Sequence, residues 1–86
     1  MSGALAVRVM VEDAWDEVFV ELPGGTPLAE LKRQALALTR VTRNPSEYML
    51  KYRGAALADE SRSMAEAGLV QNGVLIVLSR RRRPVR

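Results

Sequence analysis

The sequence predicts an α+β fold in which one main helix packs across one face of a mixed, four- to five-stranded sheet. Two observations carry this prediction: two segments of alternating apolar and polar residues precede a single helical stripe, and a strongly apolar run lies near the C-terminus. The chain has 86 residues, enough for one small domain, and 48% of them are hydrophobic, which is typical of globular proteins. We expect a single domain over residues 1–79 and a basic tail over residues 80–86.

The first two strands are predicted to form an antiparallel hairpin. Valine occupies every second position in 7–11, and Val18, Val20 and Leu22 form a second alternating run. Two such runs a few residues apart are typical of a hairpin. On the outer face, we expect Met10 and Phe19 to be cross-strand neighbours, and Trp15 at the hairpin tip to fold back on the sheet. The nearby acidic residues lack the spacing of a cation-binding loop, and we expect them to be solvated: Asp13, Asp16 and Glu17.

A helix is predicted after Pro23-Gly24-Gly25. Thr26 is the expected N-cap and Pro27 the expected first helical residue. Leu36 falls outside the apolar stripe and is expected to be exposed or to cover the helix end, which is predicted within 38–41. The stripe itself consists of Leu28, Leu31, Ala35 and Leu38.

The second half of the chain is predicted to contain two strands, a short return strand and one helical turn. Tyr48–Tyr52 is the first strand, and Arg53-Gly54 turns the chain into the short return. Ser63-Met64-Ala65-Glu66 has the pattern of a capping box at the start of a single helical turn. Asn72-Gly73 then leads into Val74–Leu78, the most apolar run of the sequence. We expect this last strand to lie in the middle of the sheet, parallel to the first, which is the β-grasp arrangement.

In this order and spacing, the local signals resemble those of ubiquitin-like proteins over roughly residues 7–83. They are the helix start Leu28–Lys32, the strand and turn Leu50–Gly54, the capping box, and Asn72-Gly73 before the last strand. The chain is also similar in style to small bacterial ubiquitin-like proteins without a C-terminal diglycine, including accessory subunits associated with type VII secretion. The 11 arginines against 2 lysines favour a GC-rich bacterial genome.

The resemblance implies a module that binds other proteins, and one departure from the family bears on conjugation. Ubiquitin and its sulfur-carrier relatives end in Gly-Gly, which threads a narrow channel to the nucleotide that activates it. The corresponding place here reads Arg83-Pro84, followed by Val85-Arg86. Proline fixes φ, and large side chains would prevent the C-terminus from entering such a channel. A role as a modifier or sulfur carrier is therefore the least favoured alternative.

The composition argues against an enzyme. The sequence has neither cysteine nor histidine, so it lacks thiol chemistry and the side chain most often used for acid–base catalysis and metal binding. We expect no catalytic residue, cofactor, metal site or small-molecule substrate. The start has no signal-peptide pattern and no apolar run approaches the roughly 20 residues of a membrane span, so a cytoplasmic location is expected.

The predicted protein-binding site is the sheet face opposite the helix. If Leu50, Leu75 and Val77 face the helix, their neighbours in sequence face outward. Strand propensity by itself also accounts for apolar residues in these positions, and this alternative stays open. The site consists of Met49, Lys51, Ile76, Leu78 and Arg80, with Met10, Trp15 and Phe19 as a secondary surface.

The alternative site is the tail, which would bind a polyanion such as nucleic acid or an anionic membrane. Residues 1–79 carry a net charge of −2, so the net charge of +3 of the whole chain comes from the tail. No aromatic residue is interleaved with the arginines to stack bases, and a solvated terminus is the simpler interpretation. The tail arginines are Arg80, Arg81, Arg82, Arg83 and Arg86.

The salt dependence of binding tests the tail hypothesis. If the five arginines contact duplex DNA, the logarithm of the binding constant should fall linearly with the logarithm of the salt concentration, because each contact releases condensed counterions. Five contacts set the steepest slope that is possible, about −4 to −5. Fluorescence anisotropy with labelled DNA measures this slope, and deletion of residues 80–86 is the control. A slope near zero, or unchanged binding after the deletion, contradicts the hypothesis.

Overall fold

The computed structural model describes residues Gly3–Arg80, which form one five-stranded mixed sheet with a single α-helix on one face. The strands are β1 (Ala4–Val11), β2 (Asp16–Pro23), β3 (Tyr48–Tyr52), β4 (Ala55–Ala56) and β5 (Val74–Ser79), and the helix α1 spans Leu28–Leu38. Short 3-10 turns at Glu12–Ala14 and Pro45–Glu47 precede β2 and β3. The sheet order is β2-β1-β5-β3-β4.

The pairing of β1 with β5 places the last strand in the centre of the sheet. β1 runs antiparallel to β2 and parallel to β5, with Val9 opposite Leu75 and Val11 opposite Val77. β5 in turn runs antiparallel to β3. The predicted α+β class, the β-grasp order and the central parallel strand are confirmed.

The core lies between the sheet and α1. The strands alternate so that every second residue faces the helix, and six of these inward side chains are fully buried at 0% exposure. Met64, which follows Ser63 of the capping box, is also fully buried. These six strand residues are Val7, Val9, Val11, Leu50, Leu75 and Val77.

The helix begins one residue later than the sequence predicts, and Thr26 is not its cap. Pro27 occupies the N-cap position, where it offers no side-chain hydrogen bond. The first free N–H groups of the helix are instead satisfied by the loop before Ser63: the Leu28 N–H donates to the Arg62 carbonyl over 2.9 Å, and the Ala29 N–H donates to the Glu60 carbonyl over 3.0 Å. A backbone contact distant in sequence therefore replaces the local cap.

The buried stripe of α1 also differs from the prediction. Leu36 is buried at 2% exposure, whereas Leu38 is 57% exposed. After the helix the chain turns back at Arg40, which has a φ of 62°, and the Val41 N–H donates to the Leu36 carbonyl. Val41 packs against the core on this side and helps to cover it. The helix still ends at Leu38, within the predicted range.

The capping-box residues form their expected hydrogen bonds within turns and not within a helix. The Ser63 N–H donates to the Glu66 carboxylate and the Glu66 N–H donates to the Ser63 hydroxyl, both over 3.0 Å. Gly68, with a φ of 86°, ends the segment in the left-handed region. The turn Arg53-Gly54 is confirmed, and its two positive φ angles, 55° and 83°, are those of a type I′ hairpin turn.

Truncation of buried leucines tests this core. Leu31→Ala or Leu75→Ala should lower the free energy of unfolding by about 2–5 kcal/mol, because both side chains are fully buried. Leu38→Ala removes the same atoms from an exposed position of α1 and should cost less than about 1 kcal/mol. Urea unfolding followed by circular dichroism measures all three. A Leu38 variant that loses as much stability as the Leu31 variant would contradict this burial pattern.

Candidate protein-interaction face

The sheet face opposite α1 brings together residues from three strands. The register places Met10 of β1 opposite Ile76 of β5, and Ile76 opposite Lys51 of β3. One row further along, Leu78 lies opposite Met49. The structure therefore places Met10, predicted as part of a secondary surface, beside Ile76 and on one face with three further residues predicted for the main site. We call the residues Met10, Met49, Lys51, Ile76 and Leu78 the outer face.

The exposure of the outer face shows an apolar surface open to solvent. Ile76 is 39% exposed, and the other four residues are half-buried by their neighbours. Val74, two residues before Ile76 on the same strand, is 48% exposed and extends the apolar surface. Val74 is not among the predicted site residues, although the side-chain alternation that places Ile76 and Leu78 outward also applies to it.

Phe19 and Met10 are cross-strand neighbours on the outer side of the hairpin, as predicted, but they are not directly opposite each other. Phe19 pairs with Arg8, and Met10 pairs with Glu17, so Phe19 and Met10 are diagonal neighbours. The register follows from the 3-10 turn, which closes the hairpin with Val11 opposite Asp16. The guanidinium of Arg8 lies 5.2 Å from the centroid of the Phe19 ring, a cation–π distance.

Trp15 does not fold back on the sheet, and the prediction that it does is wrong. Its side chain is 83% exposed, and its φ of 51° lies in the left-handed region. Trp15 closes the 3-10 turn, since its N–H donates to the Glu12 carbonyl over 3.1 Å. Ala14, and not the indole ring, packs against the core at this end of the hairpin.

The acidic residues of the hairpin have separate contacts. Asp13 accepts a hydrogen bond of 2.7 Å from the hydroxyl of Tyr48, and Asp16 accepts one from the Glu17 N–H. Burial, reinforced by the hydrogen bond to Asp13, raises the pKa of Tyr48 above its usual value. Within residues 3–80, no three side chains of the types that bind metals come together.

Arg80 is drawn away from the outer face. Its N–H donates to the Glu47 carbonyl over 2.8 Å, and its Nε donates to the Ser46 carbonyl over 3.0 Å. Its guanidinium also lies 3.7 Å from the Glu60 carboxylate. These contacts hold Arg80 at the 3-10 turn before β3, so the structure separates it from the four residues with which the sequence analysis grouped it. The other tail arginines lie outside the described residues.

A buried lysine, which the sequence analysis did not identify, joins α1 to this same region. Lys32 is 3% exposed, and its Nζ donates to the Tyr48 carbonyl over 2.9 Å and lies 2.7 Å from Glu60. Its position could have been found from spacing, because Leu28, Lys32 and Leu36 are four residues apart on one side of the helix. A buried cation needs such partners to offset its desolvation.

Comparisons with known proteins agree on the fold. No family model and no curated protein matches the sequence. Among solved structures, the chain is similar to the ubiquitin-like domain of an Arabidopsis thaliana protein at 19% identity and a TM-score of 0.78, over 98% of this chain and 85% of that one. The chain has the ubiquitin-like β-grasp fold.

Two further structures extend the range of organisms that share this ubiquitin-like fold. The ubiquitin of Caldiarchaeum subterraneum has 13% identity and a TM-score of 0.77, over 95% of this chain and 100% of that one. The C-terminal ubiquitin-like domain of mouse tubulin-specific chaperone e has 15% identity and a TM-score of 0.76, over 98% of this chain and 94% of that one. Identities this low establish the shared fold only. In the described part of the chain, no helix has the length and apolarity that a membrane span requires.

Removal of one partner of the buried ion pair tests the network beneath α1. Glu60→Gln should lower the free energy of unfolding by about 3 kcal/mol, because it leaves the Lys32 charge buried with only a carbonyl partner. The double variant with Lys32→Met should cost less than the sum of the two single changes. The exposed pair Arg33–Glu30 is the control, and its neutralisation should cost less than about 1 kcal/mol. Additive effects of the Glu60 and Lys32 changes would show that the two side chains do not interact.

Proposed function

We propose that this chain is a non-enzymatic protein-interaction module, an accessory or adaptor subunit that binds another protein through the outer face. The observation that carries the proposal is the pair of adjacent apolar residues Met10 and Ile76, flanked by Glu17 on one side and Lys51 on the other. An apolar patch rimmed by charges is typical of a surface that loses its water against a partner.

The chemistry of the outer face supports binding over catalysis. Its residues are aliphatic or thioether side chains and one lysine, which offer burial and charge but no pair of groups arranged for proton transfer. Methionine at two of the five positions suits an adaptable binding surface, because its flexible thioether chain fits partners of different shape. A domain of ubiquitin-like fold in a tubulin-specific chaperone is in keeping with use of this fold as a module within larger proteins.

The tail remains a second candidate, for binding an anionic partner such as nucleic acid or an anionic membrane. The observation that favours it is the concentration of five of the 13 basic residues in 80–86. Against it, the guanidinium of Arg80 already donates to the Ser46 carbonyl and lies 3.7 Å from the Glu60 carboxylate, so it offers less free charge to an anionic partner.

Substitutions on the two sides of the sheet test the proposed function. Ile76→Asp, or Leu78→Asp together with Met49→Asp, should weaken binding of the partner by at least about 30-fold, because a carboxylate at the centre of an interface loses its water without a counterion. Leu38→Asp places the same charge on an exposed leucine of α1, on the other side of the sheet, and should leave binding unchanged.

The measurement has two stages. The wild-type chain is first used to isolate a partner from its native cell extract, and the purified partner is then titrated with each variant by calorimetry. Circular dichroism verifies that each variant is folded. Equal binding by the Ile76 and Leu38 variants would overturn the proposed face, and loss of binding on deletion of residues 81–86 would transfer the site to the tail.

A further inference from the structure

The outer face has a charge order that runs in one direction across the sheet. Along the row that contains Met10, the residues in space are Glu17 on β2, Met10 on β1, Ile76 on β5 and Lys51 on β3. An acid and a base therefore stand at opposite ends of a row whose two central positions are apolar. Strands in a sheet are about 4.8 Å apart, so the two charged positions are separated by roughly 14 Å.

This order distinguishes two ways of stacking two copies of the chain face to face. A twofold axis that lies between the two sheets and runs parallel to the strands reverses the order of the strands in the second copy. Glu17 of one copy then faces Lys51 of the other at both ends of the row. The same operation places Met10 over Ile76, twice, in the centre. A twofold axis that lies between the sheets but runs perpendicular to the strands would keep the strand order. It would place Glu17 over Glu17 and Lys51 over Lys51, and like charges would repel each other.

The neighbouring row is compatible with the first arrangement. It contains Phe19, Arg8 and Val74 in that order across β2, β1 and β5. The axis parallel to the strands lays Arg8 of one copy across Val74 of the other, where the aliphatic part of the arginine covers the exposed valine. The guanidinium of Arg8 already lies over the Phe19 ring, which keeps its charge toward the β2 edge and away from the apolar centre.

We propose that the outer face binds a second copy of this chain, in a symmetric dimer whose twofold axis runs parallel to the strands between β1 and β5. Face-to-face sheets pack about 10 Å apart, a gap that glutamate and lysine side chains can span together. Four strands and three outward rows cover roughly 400 Å² per copy, or roughly 800 Å² in the dimer. This is below the roughly 1,200 Å² of stable interfaces and in the range of weak, transient ones, so we expect a dissociation constant on the order of 100 μM.

The dimer is independent of the proposed function but regulates the same surface. A partner protein that binds the outer face competes with the second copy, so self-association would cover the apolar row when no partner is present. The dissociation constant of the dimer then sets the concentration of free monomer above which a second copy covers the outer face.

Charge exchange between the two ends of the row tests the proposal. With the full 86-residue chain, sedimentation equilibrium up to about 1 mM at low salt should show a monomer–dimer equilibrium. Glu17→Lys and Lys51→Glu should each weaken self-association by roughly tenfold, because each variant places two pairs of like charges across the interface. An equimolar mixture of the two variants should associate at least as well as the wild type, since one chain then presents two positive ends and the other two negative ends.

Glu21→Lys is the matched control. It makes the same change of charge on the same face of β2, but it lies opposite Ala6, in a row outside the apolar centre. It should leave the dissociation constant within about twofold of the wild-type value. Ile76→Asp should abolish the dimer, and circular dichroism verifies that every variant is folded.

Three outcomes would overturn the dimer: a monomer at 1 mM, self-association that is insensitive to the charge exchange, or a mixture of the two variants that stays monomeric. A chain that is monomeric yet binds a different protein through Ile76 would also reject the second copy as occupant, while leaving the proposed function intact. Conversely, a dimer that shows the charge exchange, together with partner binding that survives Ile76→Asp, would support the dimer and reject the function proposed for this face.

Discussion

The parallel pairing of β1 with β5 is the constraint on which the rest of the structure depends. It joins the first strand to the last, and it places Leu75 and Val77 beside Val9 and Val11 in the centre of the core. Because side chains alternate across a strand, a slip of one residue would turn these four side chains outward and bury Met10 and Ile76 in their place. The burial of the inner face therefore fixes the composition of the outer one.

The same pairing explains why the outer face carries the charge order that it does. Glu17 and Lys51 are 34 residues apart in sequence and lie on strands that do not touch. β1 and β5 lie between those two strands and contribute one outward residue each, Met10 and Ile76. Glu17 and Lys51 therefore stand at the two ends of one row. A surface of this kind is a property of the sheet as a whole, since no single hairpin contains it.

The polar contacts of Lys32 and Arg80 connect elements that are distant in sequence at the end of the sheet that contains the C-terminus of β5. Both approach Glu60, and both donate to backbone carbonyls within or next to the 3-10 turn that precedes β3. The loop around Glu60 also accepts the first N–H groups of α1. One irregular segment thus completes the helix start, neutralises a buried cation and contacts the chain after β5.

The sequence by itself determined the elements whose signals are local. Alternation fixed the inward face of β1, the Arg53-Gly54 pair determined a turn that needs positive φ, and the Ser63–Glu66 spacing determined two reciprocal hydrogen bonds. The run Val74–Leu78 is apolar throughout, so its inward face was decided by pairing with β1 and β3. Only the tertiary structure decided between Leu36 and Leu38, because both lie about 80° from Leu28 around the helix axis, on opposite sides, and the returning chain covers only one of them. It likewise decided the cap of α1, the exposure of Trp15 and the partners of Lys32 and Arg80. Each of these depends on a segment distant in sequence. A local pattern does not predict which distant segment will form the hydrogen bond or bury the side chain.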